Sequence, residues 1–235
     1  MRWWVEYTTR GLDDGFVTSL GGRSFGEVVR SRRMTRAFLA DPLPDGLLED
    51  LIDLAGRAPS AGKTQGWQVV ALTGDDTSVF WDITLPAPRR ATFRWQRLPD
   101  APVILLPLAD PQAYVERYSE PDKAATGLGS GSGAWPVPYW TIDASMAVMT
   151  LLLAAEDAGL GVLFFGVFRG EAELREALHI PDHLELLGAI ALGYAADGDE
   201  ATDGRSGRSA TRPRRRAAEI IHRGRWSPPR ATDDR

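Results

Sequence analysis

The order of apolar patterns along the 235 residues predicts an α+β or mixed-layer fold around one sheet. Three observations carry this. Two amphipathic helix patterns precede the first strand pattern. Two short apolar runs, Trp67-Gln68-Val69-Val70-Ala71-Leu72 and the 102–108 run PVILLPL, have strand length and branched residues. One long helix pattern over 142–158 is apolar on nearly every face, as a helix at the centre of a core or at a subunit interface is.

Taken in order, residues 1–22 show no clear period and read as an irregular extension. Ser24-Phe25-Gly26-Glu27 has the spacing of a capping box and opens a helix with Phe25, Val28 and Val29 on its apolar side. Asp41-Pro42-Leu43-Pro44-Asp45 is a break. The next helix places Leu47, Leu48, Leu51, Ile52 and Ala55 inward and ends near Ala58-Pro59, because the residue before proline leaves the helical region. After the first strand, the polar and aromatic stretch 74–101 has room for a helix and loops. The glycine-rich stretch 127–133 reads as a flexible loop; no Gly-Lys-Ser/Thr follows it, so it is not a phosphate-binding P-loop. Asp143 reads as the cap of the long helix, and Gly159-Leu160-Gly161 ends it. A buried strand over 162–167, a short helix over 171–178 and a strand over 186–192 follow. Residues 195–211 are polar, and 217–226 regain apolar residues (Ile220, Ile221, Trp226) that need covering. No G-x-G-x-x-G joins a strand to a helix, which disfavours a Rossmann dinucleotide site.

Bulk properties narrow the function classes. The chain is 43% hydrophobic and 25% charged, enough for one substantial core. It has no cysteine, which excludes disulfides, thiolate chemistry and Cys-ligated metals and fits a reducing compartment. The longest nearly apolar run, 146–155, is too short to span a membrane, and the first residues lack a signal-peptide core, so the expectation is a cytoplasmic protein with no membrane partner. A net charge of −5 disfavours nucleic acid as a partner. Basic residues nonetheless concentrate at 30–36 and 205–216. Arg32, Arg33 and Arg36 fall within five positions between two helix patterns, where a guanidinium cluster suits a phosphate ester. The bland alternative is a solvated helix end. His179, His183 and His222 lack metal-ligand spacing, and Ser60 and Ser145 lack a His–Asp partner set, so metal and hydrolase sites are not expected.

Four segments then resemble the nitroreductase-like FMN-dependent oxidoreductases, in that family's order. They are Arg32-Arg33-Met34-Thr35-Arg36-Ala37-Phe38 with Pro42-Leu43-Pro44; Ala58-Pro59-Ser60-Ala61-Gly62-Lys63-Thr64-Gln65-Gly66-Trp67; Asp143-Ala144-Ser145 leading to Gly159-Leu160-Gly161; and Ile180-Pro181, Leu192-Gly193-Tyr194 and Glu219-Ile220-Ile221-His222. The segments around Trp135 and Phe164 look more like an uncharacterised actinobacterial-type branch than like the nitro-reducing enzymes proper. The resemblance implies a central mixed sheet flanked by helices over residues 23–226, a C-terminal arm extending onto a partner subunit, a flexible tail over 227–235, and a homodimer with FMN between subunits.

It also implies site residues. Arg32, Arg33 and Met34 would meet the ribityl-phosphate side of FMN, and Arg36 the pyrimidine edge, where a cation stabilises the charge gathered on reduction. Pro59, Ser60, Ala61 and Gln65 would wall the flavin ring, with Lys63 where the family often has Asn and Gly66 where it commonly has Pro. Phe164, Phe165 and Gly166 would touch the dimethylbenzene or N5 side. Arg214, with Arg212, would close on the phosphate. No catalytic side chain is named, because hydride transfer to a flavin needs none. The implied reaction passes two electrons from NADH or NADPH through FMN to a nitroaromatic or quinone acceptor, with ping-pong kinetics. The alternatives are an FMN-dependent dehalogenase, dehydrogenase or flavin-processing enzyme, or a non-catalytic flavin-binding or redox-sensing protein. Trp135, Tyr139 and Trp140 suit either a lid over the flavin face or packing of the dimer, with packing favoured.

Overall fold

The structure is a computed structural model that describes residues 22–196 and 212–227. Helix α1 (Phe25–Ser31) starts as its sequence dictates: the Ser24 hydroxyl accepts the Glu27 N–H, and the Ser24 N–H donates to the Glu27 carboxylate at 2.9 Å. Helix α2 (Leu47–Ala55) stops short of Pro59, its last turn passing into tighter turns at Arg57 and Ala58.

The sheet has strand order β1 (Trp67–Thr73), β2 (Val103–Ala109), β5 (Ala189–Gly193), β3 (Gly161–Phe165), and the two-residue β4 (Glu185–Leu186) also pairs with β2. The expected α+β sheet flanked by helices is present, and all its pairings among the described residues are antiparallel. β1 and β2 pair along their whole length, from Trp67 opposite Ala109 to Thr73 opposite Val103. Strand β2 is central, and every one of its residues is buried, which explains its near-continuous apolar run.

Side-chain alternation divides the core into two layers. Val103, Leu105, Val162, Ile190 and Leu192 face α2 and the long helix α6 (Tyr139–Asp157). Ile104, Leu106, Leu163, Ala189 and Ala191 face α3 (Thr77–Thr84), which contributes Phe80 and Trp81, and α7 (Glu171–Ala177), which contributes Leu174. The 74–101 stretch thus holds α3 and the single turn α4 (Ala87–Arg90), and α5 (Pro111–Ser119) follows β2.

Three expectations change. Helix α6 begins at Tyr139 rather than 142, because Pro136 and Pro138 set its entry and Pro138, as N-cap, has no N–H to satisfy. Asp143 is therefore inside the helix and does not cap it. The 127–133 stretch is not a free loop: it forms close 3₁₀ turns at Leu128–Ser130 and Ser132–Ala134 against α5, and a Cβ on Gly129 would lie 2.5 Å from Ser119 Oγ. Trp135 donates from Nε1 to the Leu128 carbonyl at 3.1 Å and packs with Trp140 and Tyr114 in a third, smaller cluster, so both tryptophans pack within their own chain.

Beyond β5, most of the polar 195–211 stretch lies outside the described residues, as do nearly all of the N-terminal extension and of the 227–235 tail. The last described element is the exposed turn α8 (Ala217–Ile220). Ile220, Ile221 and Trp226 are 55%, 54% and 72% exposed, so the described residues do not cover them. Among the described residues no helix is long and apolar enough to cross a membrane.

Candidate functional site

The segment after α1 leaves the helix at Arg32, which takes an extended ψ of 127°. It then runs along the start of β3, where the Thr35 N–H donates to the Val162 carbonyl at 2.9 Å. Thr35 presses on Gly161 so closely that a Cβ there would lie 2.8 Å from the threonine methyl. Thr35, Ala37 and Phe38 are buried, which anchors the segment and leaves its arginines at the rim. Arg32 is half-buried, and its Nη1 is buried with no acceptor among the described residues. Arg33 is exposed. Met34 packs its side chain into the core, and its carbonyl accepts from Arg36 Nη1 at 3.2 Å. The Arg36 guanidinium also lies 5.3 Å from the Trp95 ring centroid.

Residues 59–65 form a second, strained unit. Gly62, Lys63 and Gln65 have φ of 62°, 55° and 55°. For the two non-glycine residues this left-handed backbone costs about 1–3 kcal/mol each and persists only where the surroundings enforce it. Several contacts do so. Ala61 N–H and the Tyr114 hydroxyl both donate to Asp143 Oδ2 at 2.7 Å. Gln65 N–H donates to Ser60 Oγ at 2.9 Å, and Arg117 Nε donates to the Gly62 carbonyl at 2.9 Å. Gly66 lies against the Tyr114 ring, where a Cβ would come within 2.6 Å of Cε2. Asp143, expected as a cap, is thus the buried carboxylate that pins this loop to α5 and α6. Burial, followed by the Asp143 hydrogen bond, pushes the Tyr114 hydroxyl well above the usual phenol range, so it stays a donor. Pro59, Lys63 and Gln65 remain exposed on the loop's outer side.

Arg36, Phe164, Phe165 and Gly166 line one cavity of about 620 Å³ on the α3 side of the sheet. Sequence reasoning had not placed its remaining walls. Trp81 stacks on Phe165 with ring centroids 6.1 Å apart and planes 7° apart, Phe93 meets Trp95 edge to face, and Arg89 and Arg169 stand at the rim. The aromatic richness of 74–101 was the available signal. Among the described residues no carboxylate lines this cavity.

The other predicted residues lie apart from it. Arg23 bonds the carbonyl and carboxylate of Glu156, which holds α1 and the segment 32–36 near the C-terminal end of α6. The loop 59–65 is tied to Asp143, near the N-terminal end of α6. At a rise of ~1.5 Å per residue these anchor points are roughly 20 Å apart along one helix. Arg212 and Arg214 are exposed ahead of α8 and do not line the cavity. No group of His, Asp or Glu among the described residues is arranged to hold a metal ion.

A model of the nitroreductase family matches residues 29–194. An NADH dehydrogenase of Thermus thermophilus is 30% identical over 180 residues, spanning 71% of this chain and 84% of that protein. A 4-nitrobenzoate reductase of Pseudomonas putida is 28% identical over 201 residues, spanning 73% and 85%. Among solved structures, a nitroreductase family protein of Streptococcus pneumoniae superposes with a TM-score of 0.62 at 19% identity, covering 85% of this chain and 99% of that one. A nitroreductase in complex with FMN from Desulfovibrio desulfuricans superposes with a TM-score of 0.61 at 20% identity, covering 87% and 99%. The match spans the arginine segment 32–36, the loop 59–65, the long helix and all five strands, and on that evidence this chain belongs to the nitroreductase family and is an oxidoreductase.

Proposed function

We propose that the protein is an FMN-dependent oxidoreductase that takes electrons from NADH or NADPH and reduces a nitroaromatic or quinone acceptor by a ping-pong route. The observation that carries this reading is the pair Arg32 and Arg36. One extended segment presents two half-buried guanidinium groups, neither paired with a carboxylate among the described residues, and Arg32 Nη1 is buried without an acceptor. A phosphate monoester fits the first and an electron-rich pyrimidine edge the second. Relatives carrying NADH dehydrogenase and 4-nitrobenzoate reductase names, and the FMN complex of similar fold, support the donor, acceptor and cofactor classes.

Bound FMN supplies storage for two electrons. The residues do the rest: Arg32 and Arg33 anchor the phosphate, Arg36 offsets charge at the ring, and Phe164, Phe165 and Gly166 form a close wall. In net terms a hydride from the nicotinamide and a proton from solvent convert a nitro group to nitroso with loss of water, or a quinone to a hydroquinone. Both substrates use the same cleft in turn.

A second copy completes the site in this reading. The loop 59–65 lies at the opposite end of α6 from the arginine segment, and α6 exposes Ile142 and Met149, each 41% accessible, on one stripe. Two such helices packed antiparallel bring the arginine segment of one protomer to the loop of its partner. The exposed Ile220, Ile221 and Trp226 suit an arm laid on that partner and carrying Arg212 and Arg214. A cytoplasmic location, where NAD(P)H is available, belongs to the same proposal.

The test is the visible spectrum of the purified protein followed by anaerobic NAD(P)H titration. A flavin spectrum that bleaches by two electrons per protomer is expected. A colourless protein that takes up no FMN overturns the reading, and a flavin that NAD(P)H leaves oxidised makes the protein a flavin binder rather than a reductase.

A further inference from the structure

The Gly62–Lys63 peptide is the pivot of the strained loop. Its carbonyl accepts from Arg117 Nε at 2.9 Å, and its N–H donates to the Ser60 carbonyl at 2.9 Å. A peptide plane turns as one unit, so a half-turn changes ψ of Gly62 and φ of Lys63 together. That half-turn would carry Lys63 from φ 55° to about −125°, inside the broad allowed region, and would remove its left-handed strain. The local backbone thus favours the flipped peptide, and the fold has to oppose it. The Ser60 contact lies within the loop itself. The Arg117 contact ties the peptide to α5, 55 positions away in sequence.

Arg117 is held in one orientation. Its Nη1 and Nη2 each meet a different oxygen of Asp122 at 2.8 Å, a fork that fixes the guanidinium plane, and Nη1 also meets Glu120 at 3.1 Å. The hydrogen bond from Arg117 holds the Asp122 carboxyl below the usual carboxylate range. Tyr118 backs the loop from the same helix: a Cβ on Gly62 would lie 3.0 Å from its ring. A surface ion pair by itself contributes little, but a two-pronged one whose Nε also meets a strained carbonyl fixes geometry. Gly62, Glu120 and Asp122 take four of the five N–H groups of Arg117, so it is not a further anchor for phosphate.

We propose that Arg117 is a positioning residue for the cofactor site: forked to Asp122, it locks the Gly62–Lys63 peptide and so holds residues 60–65 in the shape that receives the flavin ring. The assignment rests on the flavin reading above.

Three variants test it: Arg117→Gln, Arg117→Lys, and Asp122→Ala, which removes a side chain 59% exposed and leaves the arginine in place. The first readout needs no flavin. Amide hydrogen exchange of the Arg117→Gln apoprotein should quicken at least about fivefold over residues 61–65, while the amides of β2 keep their rates. The second is the FMN dissociation constant from fluorescence titration. It should rise at least about fivefold, since binding then selects the unflipped fraction of the loop. Arg117→Lys keeps the charge but has one donor centre and cannot serve Gly62 and Asp122 in one plane, so it should resemble Arg117→Gln. Asp122→Ala should fall between them and wild type, and it carries both readouts if Arg117→Gln does not fold. Unchanged exchange over 61–65 overturns the proposal. So does Arg117→Lys that binds FMN as tightly as wild type, because charge alone then suffices. Lower urea stability with an unchanged FMN constant overturns it too, since the arginine then supports only the fold. A wild-type protein that takes up no FMN overturns the cofactor reading as well, whereas tight FMN binding in every variant overturns this inference alone.

Discussion

Tyr114 and Asp143 meet in the interior through a 2.7 Å hydrogen bond from phenol to carboxylate, and the same carboxylate oxygen receives the backbone N–H of Ala61. One buried acid therefore joins α5, α6 and the strained loop 59–65. Replacing Asp143 with Ala leaves two buried donors without an acceptor. It should cost about 2–6 kcal/mol, at about 1–3 kcal/mol for each donor left unsatisfied. Asp143→Asn keeps an acceptor oxygen and should cost clearly less. Urea unfolding of the two variants checks the order.

The same pair sets an alkaline limit. The folded-state pKa of Tyr114 is raised, first by burial and then by Asp143, above that of the unfolded chain, near 10 for a free phenol. A raised pKa means that the native state holds its proton while the unfolded state gives it up. The contribution of Tyr114 is therefore fully present below about pH 10 and declines as pH rises beyond it. Tyr114→Phe should flatten the fall in stability between about pH 10 and 11.5, measured by urea midpoints across that range. An unchanged alkaline slope would show that the phenol is not linked to unfolding.

Arg32 and Arg36 should fail in different ways. Arg32→Gln removes a charge-assisted contact to phosphate worth about 1.5–3 kcal/mol, so FMN should dissociate roughly 10–150 times more readily. Arg36→Met should slow flavin reduction more than it weakens FMN binding, because its charge matters most in the reduced state. Fluorescence titration with FMN and stopped-flow bleaching separate the two. Equal losses in both measurements for Arg36→Met would remove its electronic role.

Glutamates at Ile142 and Met149 test the assembly. Both side chains are exposed on one stripe of α6, so Ile142→Glu/Met149→Glu should leave the fold of the single chain intact. Light scattering should show monomers in place of dimers, and flavin content should fall with the loss of the partner's loop. A variant that stays dimeric and yellow places the interface elsewhere.

How much was legible in the sequence depended on the range of the interaction. The Ser24–Glu27 capping box, the apolar run of β2 and the glycines closing α6 act over a few residues, and each formed the element it foretold. The Asp143 reading failed because a carboxylate near a helix start is a cap by local rules, while its true donors, Ala61 and Tyr114, are 82 and 29 residues away. The glycines of 127–133 read as freedom, yet Gly129 serves close approach to Ser119, which only the packed chain reveals. Likewise Trp81, Trp95 and Arg89 lie on a stretch without a clean period, Arg169 follows β3, and they become a wall only when α3 folds over the end of β3.

By itself the sequence determined the α+β class, the family-type segments, the absence of thiol chemistry and the candidate arginines, because these rest on local pattern and residue chemistry. The tertiary structure alone decided that Arg36 shares a cavity with Phe164 and Gly166, that the loop 59–65 sits at the far end of α6, and that Asp143 is a buried acceptor. The physical reason is that burial and unmet hydrogen bonds are properties of surroundings contributed by distant parts of the chain, and no window of neighbouring residues contains them.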